Sequence, residues 1–592
     1  MTEPARQRSA TVPGVLLASG LVALSLLRVA GALAPSGMAW GVGAARDLNP
    51  VLGVALLALG LAGAGLGVAR LEPLAALPIA DAPRRAWPFA LAGVLTLLLV
   101  VFPDRVRFVG DFVLRLGILE SANGFEHIFP QALELDRLLN HALPVRAGAL
   151  LGVEPLVVLR TMGVLELWLL VGLATRFGRL VSPRESVAAV VAIAIACGGY
   201  ATLLSGYSKP TPQLALCALA ATTLGTEQVR RGSARVPFAL AVAAGLALHR
   251  GGLPLLLPWA VASALTLRRF GLGAGRARVV NAVALALPLV VLALEARALT
   301  AVITTFDTPV NFLPREVQAQ GGPLAAAFTP LRLLDDANAM LMHAPLAPLV
   351  VLTGFGDWRR AERLLVLAAV LAFLPLVLFV HLPLGPFRDW DALGGEGAVL
   401  AVASAWAVAD VLARAHRGPG LAPAAAMGAA VPFLTLLLSL TDLPHGFARA
   451  ERIAAGPPPR SAAQRASLLD WIGLRALNEE QFGRAREAYR RLCLETPIPH
   501  ALKLWGAAAL IDERPAEAQQ AFTRLLEGSV DDPVGWYGLW MSAVASGDTL
   551  AARRASEHAS RWPTDSKQMA DVVEFFDHYP RLYAVLRRTL ER

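Results

Sequence analysis

Cysteine is almost missing from this chain. Cys197, Cys217 and Cys493 are the only three in 592 residues. Two fall inside apolar runs and one in the C-terminal tail, which excludes a disulfide framework and a thiolate zinc site. Lysine is equally scarce: Lys209, Lys503 and Lys567 are the only lysines among 54 Lys and Arg residues. The first apolar run carries no small-residue cleavage pattern and is followed by further apolar runs, so it reads as a retained span and not a signal peptide.

What the chain has in abundance is apolar sequence. The apolar fraction is 55% and the mean hydropathy is +0.54. Runs near span length recur from residue 13 to 441, the pattern of a polytopic helical membrane protein. The expected spans are 13–34, 50–69, 86–102, 150–174, 186–205, 210–225, 236–248, 252–267, 279–299, 344–356, 364–380, 396–413 and 422–441. Of these, 236–248, 252–267 and 344–356 are short for a bilayer core and fit tilted, broken or re-entrant segments. The expected fold class is all-α: a bundle of about 13 spans followed by a soluble helical repeat domain.

The net charge of +9 is mostly Arg gathered on one side, which gives no pointer to nucleic acid. With the N-terminus and its Arg6 and Arg8 in the cytoplasm, Arg176, Arg179, Arg184, Arg230, Arg231, Arg268 and Arg269 fall on the same side, as do Arg70, Arg84, Arg85, Arg359 and Arg417. The short loops opposite hold one cation each: Arg46, Lys209, Arg250 and Arg388. This asymmetry predicts a multi-pass inner (plasma) membrane protein with its C-terminus external or periplasmic. Two external loops are long, 103–149 and 300–343. Leucines 133, 135, 138 and 139, interleaved with Glu134, Asp136 and Arg137, suit a helix lying on the membrane surface.

Composition changes after residue 441. Residues 442–462, with Gly456-Pro457-Pro458-Pro459, read as a stiff linker between the membrane part (N-terminal spans 1–85, core 86–441) and a C-terminal domain, 463–592. There Leu469, Gly473, Ala485 and Tyr489 recur 33 residues on as Leu502, Gly506, Ala518 and Phe522, with a weaker third copy at Gly535, Leu539, Ala551 and Ala555. The spacing resembles tetratricopeptide repeats, which implies a concave surface for a protein or peptide partner.

Four polar clusters fall on the external side: Gly110-Asp111, Tyr207-Ser208-Lys209-Pro210, His249-Arg250-Gly251-Gly252 and Arg388-Asp389-Trp390-Asp391. Each alone fits a solvated loop or a snorkelling side chain. Their convergence on one face points to a site. Asp111 suits a general base, Lys209, His249, Arg250 and Arg388 suit a phosphate, and Asp389 and Asp391 suit a sugar or a divalent Mg or Mn ion.

Many spans, an acidic residue in a large external loop, further motifs at external span ends and a soluble C-terminal domain resemble the GT-C class of integral-membrane glycosyltransferases, including protein O-mannosyltransferase-like and aminoarabinose-transferase-like enzymes. The resemblance implies a polyprenyl-phosphate sugar as donor and a lipid, glycan or protein as acceptor. In that class the acidic loop usually follows the first span; here it follows the third, and Asp111 lacks an acidic neighbour. The competing expectations are a transporter or flippase, with Arg160, Glu166 and Glu295 as its intramembrane charges, and a membrane anchor that presents the repeats to partners.

Overall fold

The computed structural model describes residues 3–69, 86–119, 125–356, 360–414 and 418–591. Arg70, Arg84, Arg85, Arg359 and Arg417 of the arginine belt lie outside these residues. Among those described there is no strand, and the chain divides into two units, Met1–Gly446 and Phe447–Arg592.

Among the described residues of the first unit, seven helices are long and apolar enough to cross a membrane: Val12–Leu33, Pro50–Val68, Pro155–Val181, Arg276–Phe312, Ala361–Phe379, Trp390–Arg414 and Leu421–Ser439. An eighth arises if Pro330–His343 and Ala347–Gly354, bent by 86°, count as one broken span. The remaining expected spans are shorter or more polar. Trp87–Val101, Glu185–Ala196 and Arg235–Leu248 have 15, 12 and 14 residues. At 1.5 Å per residue that is roughly 18–22 Å against a hydrocarbon core of about 30 Å. Thr211–Arg231 is long enough, but it carries Gln213, Thr222, Thr223, Thr226, Glu227 and Gln228 on buried positions. Hydropathy windows thus find the apolar runs but not which of them reach across.

The bundle is organised around Trp390–Arg414. This span is 83% buried, against 17% for Arg276–Phe312. Its buried positions are mostly small: Gly394, Gly395, Gly397, Ala398, Ala401, Ala403, Ala405 and Ala407. Small side chains let neighbouring backbones approach closely where burial of apolar surface supplies little drive between helices. Thr211–Arg231, Ala361–Phe379 and Glu185–Ala196 pack against it.

The region 300–343, read from sequence as a loop, is largely helical. Helix Arg276–Val302 continues into a π-helical stretch, Ile303–Phe312, and Arg315–Ala319, Pro323–Ala327 and Pro330–His343 follow. Pro309 lies inside the π stretch and removes one backbone donor; the Leu313 amide instead bonds the Thr308 carbonyl, five residues back. The expected linker is also mostly helix: Leu443–Ala455 runs through its first half.

The second unit is a succession of paired helices, from Ala462–Asn478 with Phe482–Glu495 to Lys567–His578 with Arg581–Leu590. A Cβ at Gly473 would collide with the Tyr489 ring, and one at Gly506 with the Phe522 ring. The glycine is therefore what lets each pair close. Where the third copy has Leu539 in place of glycine, it has Ala555 in place of the ring. Glu480 and Glu513, also 33 residues apart, both turn with positive φ (56° and 58°).

Candidate functional site

The ends of several helices converge on one cavity of about 590 Å³ in the first unit. Asp111 immediately precedes helix Phe112–Leu119, and Lys209 stands just before Thr211–Arg231. His249 and Arg250 link Arg235–Leu248 to Leu256–Phe270, while Asp389 and Asp391 lie between Ala361–Phe379 and Gly394–Arg414. All six line the cavity. Three of these helices carry arginine at their far ends: Arg230 and Arg231, Arg235, and Arg268 and Arg269. The cavity and this part of the arginine belt therefore occupy opposite ends of the bundle.

Lys209 is the hub. Its Nζ lies 2.5 Å from Asp111 Oδ1 and 2.9 Å from Asp391 Oδ2. Thr211 Oγ1 adds a longer bond to the same Asp391 oxygen, at 3.4 Å. Burial alone would lower the Lys209 ammonium's pKa, but Asp111 and Asp391 more than offset it and hold the group charged above its ordinary value. Burial would likewise raise Asp111, yet Lys209 and Arg115 outweigh it and keep that carboxyl below its ordinary value. Its side chain is 27% exposed, so the carboxylate is both ionised and reachable. Gly110 makes the arrangement possible: its φ is +56°, and a Cβ there would fall on Lys209 Nζ.

Two further ion pairs flank the hub. The Arg115 guanidinium grips Asp136 with two bonds of 3.1 Å, donates to the Ser208 carbonyl at 3.0 Å and lies over the Phe129 ring. The bidentate geometry suits a planar guanidinium and not an ammonium. Asn140 and Gln213 continue this network to Glu166, one of the intramembrane charges noted in the sequence. On the other side Arg250 Nε lies 2.6 Å from Asp307 Oδ2, and the Asn311 amide donates to Asp307 Oδ1 at 2.7 Å. Asp307 and Asn311 both come from the π-helical stretch, which brings them to the cavity.

His249 lines the cavity with both ring nitrogens engaged: Nδ1 accepts the Gly251 amide at 3.0 Å and Nε2 faces Arg250 Nη1 at 3.1 Å. Burial and the neighbouring Arg250, Arg115 and Lys209 hold its pKa well below the ordinary value. A neutral imidazole brings a phosphate no charge. Arg388, expected beside the phosphate, stands behind the cavity wall. It is buried and is not among the cavity's lining residues; it donates to the Gly110 carbonyl at 2.9 Å and the Phe108 carbonyl at 3.3 Å. In return the Gly110 amide bonds the Arg388 carbonyl at 2.8 Å. Arg388 thus braces the segment that presents Asp111. Its loop turns at Gly385, where φ is +88° and a Cβ would strike the Phe387 ring.

Asp389 accepts the Leu384 amide at 3.0 Å. Burial pushes its carboxyl up to about 7, against the pull of Lys209 and with help from Asp391. Of the pair Asp389 and Asp391 expected to hold a magnesium or manganese ion, Asp391 is bound to the Lys209 ammonium. The position between Asp391 and Asp111 is filled by the Lys209 ammonium, and no group of three or more His, Cys, Asp or Glu side chains suited to a metal occurs among the described residues.

The chain matches no protein-family model, no curated protein and no solved structure. Sequence reading missed Arg115, Thr211, Asn311 and Glu396 as lining residues, and treated Asp136 and Asp307 as ordinary loop acids. Arg115 had a usable signal: it is a lone cation in the apolar run Phe112-Val113-Leu114-Arg115-Leu116, four residues after Asp111.

Proposed function

We propose that the chain is an integral-membrane glycosyltransferase that moves a sugar from a polyprenyl-phosphate carrier to an acceptor hydroxyl at the membrane face opposite the arginine belt. The observation that carries this reading is the pairing, in one cavity, of an ionised, reachable Asp111 with an Asp389 carboxyl near 7. Groups whose environments push their pKa values apart are suited to different roles. Asp389 is matched to taking the acceptor's proton near neutral pH, while Asp111 receives its hydrogen bond and orients it. The acceptor oxygen attacks the anomeric carbon, the bond from that carbon to the phosphate oxygen breaks, and the polyprenyl phosphate leaves with the electron pair. Arg250 commits Nε to Asp307 and holds Nη1 against His249 Nε2 at 3.1 Å, so its remaining terminal nitrogen is the one to meet that phosphate. The apolar walls at Leu253, Phe306 and Leu376 suit the first carrier units. No step requires a metal.

In this reading the bundle is a plasma-membrane protein of about 13 spans, some tilted or partial, with Arg230 and Arg231 cytoplasmic. The second unit is a tetratricopeptide-like array that binds a peptide or protein partner outside. A reporter fused after Arg231 then reports a cytoplasmic location; an external signal there reverses the orientation. The activity is tested with full-length protein in lipid nanodiscs, a polyprenyl-phospho-hexose labelled in the sugar, and a panel of lipid and peptide acceptors. Asp389→Asn lowers the rate by about 10² or more, the usual loss for a missing general base. Wild-type rates in both Asp389→Asn and Asp111→Asn remove these carboxylates from the mechanism. Flux of solute without transfer favours a transporter.

A further inference from the structure

The cations of the cavity wall are already paired, whereas several of its acceptors are not. Lys209 serves Asp111 and Asp391, Arg115 serves Asp136, and Arg250 serves Asp307. By contrast Asp391 Oδ1, Glu396 Oε2 and Gln131 Oε1 are buried and take no hydrogen bond from the described residues. Asp391 is 0% exposed and Glu396 5%. Buried polar atoms are nearly always partnered, and a carboxylate oxygen left without a donor is costly. Three such atoms from two segments, all in residues lining one cavity, point to donors supplied by what fills it.

We propose that Glu396, Asp391 and Gln131 are the recognition set for the hydroxyl groups of a saccharide bound in this cavity, with Glu396 the residue that decides for a sugar. This deepens the glycosyltransferase reading and rests on it for the saccharide's place in the reaction. One feature favours hydroxyls over a compact cation: the unpartnered acceptors come from separate segments, residue 131 and residues 391–396, and among the described residues no three acidic side chains gather to hold an ion. Ala392 and Leu393, next to Asp391 in the same lining, suit a C–H face of a pyranose while its edges carry the O–H donors. Glu396 opens the central helix, behind Gly394 and Gly395, so its carboxyl is held by the most buried element of the bundle.

Calorimetry on the full-length protein in nanodiscs tests this with three probes: farnesyl phosphate, farnesyl-phospho-glucose and methyl α-glucoside. The wild type binds farnesyl-phospho-glucose at least tenfold tighter than farnesyl phosphate. Glu396→Leu abolishes that preference and leaves farnesyl phosphate binding within about twofold. Glu396→Gln, which keeps an acceptor oxygen, retains most of it; its loss together with Leu would mean that a positive group is recognised, and overturns the hydroxyl assignment. Gln131→Leu, on a less buried position, gives a partial loss even if Glu396→Leu fails to fold. If the lipid-phosphate reading is wrong, farnesyl phosphate does not bind, while methyl α-glucoside still binds and loses affinity in Gln131→Leu and Glu396→Leu. No saccharide binding in any arm, or equal preference in wild type and Glu396→Leu, overturns the proposal.

Discussion

Lys209 Nζ reaches Asp391 Oδ2 at 2.9 Å across 182 residues of sequence. That bond ties the start of one cavity-lining helix to the start of the central one, and Asp111 closes the same ammonium from a third segment at 2.5 Å. A buried ion held by two carboxylates is worth little relative to a well-packed apolar substitute, but removing one member leaves the others uncompensated.

The first prediction follows from the space that Gly110 leaves for this ammonium. Gly110→Ala places a methyl on Lys209 Nζ and forces a β-carbon into a left-handed backbone. The variant loses roughly 2 kcal/mol or more, combining left-handed strain with a disturbed ion pair. Thermal unfolding in detergent reads this out; a midpoint equal to the wild type means that Lys209 moves aside at no cost.

The second concerns Asp389 and pH. Its folded-state pKa is raised from 3.8 to about 7. Between those values the unfolded chain has released a proton that the folded site still holds, so stability falls as pH rises across that window. Activity runs the other way, since a base must be deprotonated, and kcat/KM climbs with pH through about 7. Asp389→Asn flattens the stability profile over the same interval. A wild-type rate independent of pH from 5 to 8 removes Asp389 as the proton acceptor.

Arg388 supplies the third. It serves carbonyls at Phe108 and Gly110 and does not line the cavity. Arg388→Ala therefore destabilises by about 2–4 kcal/mol through orphaned carbonyls and a lost guanidinium. Arg388→Lys does not rescue it, because one ammonium cannot reproduce the fork. Both are read by thermal unfolding. If both unfold like the wild type but lose binding of a phosphate probe, Arg388 belongs to the site after all.

The fourth addresses the second unit. Gly506→Val drives a side chain into the Phe522 ring and costs about 3 kcal/mol by overpacking a closed helix pair. The fragment 447–592, expressed alone, shows the loss by circular dichroism on urea titration. The double variant Gly506→Val/Phe522→Ala recovers part of it, as the natural exchange of Leu539 and Ala555 in the third copy suggests. An unfolded wild-type fragment overturns its independence.

The cavity was legible in part because Asp111, Lys209, His249, Arg250, Asp389 and Asp391 each interrupt an apolar run at its end. Polar residues at such places announce themselves to any hydropathy profile. Arg388 sits in the same cluster and reads identically, yet it donates to backbone carbonyls, which leave no trace in sequence. Asp307 was hidden for a different reason: Pro309 and the polar residues around it imitate a loop. The number of spans was illegible because composition records how apolar a run is, whereas crossing depends on how long its helix stays unbroken. The 33-residue period was plain, since steric exchange between glycine and ring must recur in register.

The π-helical stretch Ile303–Phe312 sets a limit on how this chain can vary. A wide turn holds one more residue than an α-turn, and each residue of an α-helix advances about 100° around the axis. Removing a single residue from the α-helix Arg276–Val302 that leads into this stretch, which has no extra residue to give up, would swing the Asp307 carboxylate by that angle, away from Arg250. Point substitutions here are graded in effect; a one-residue deletion is not. The segment is thus a phasing element, tolerant of changed side chains and intolerant of changed length.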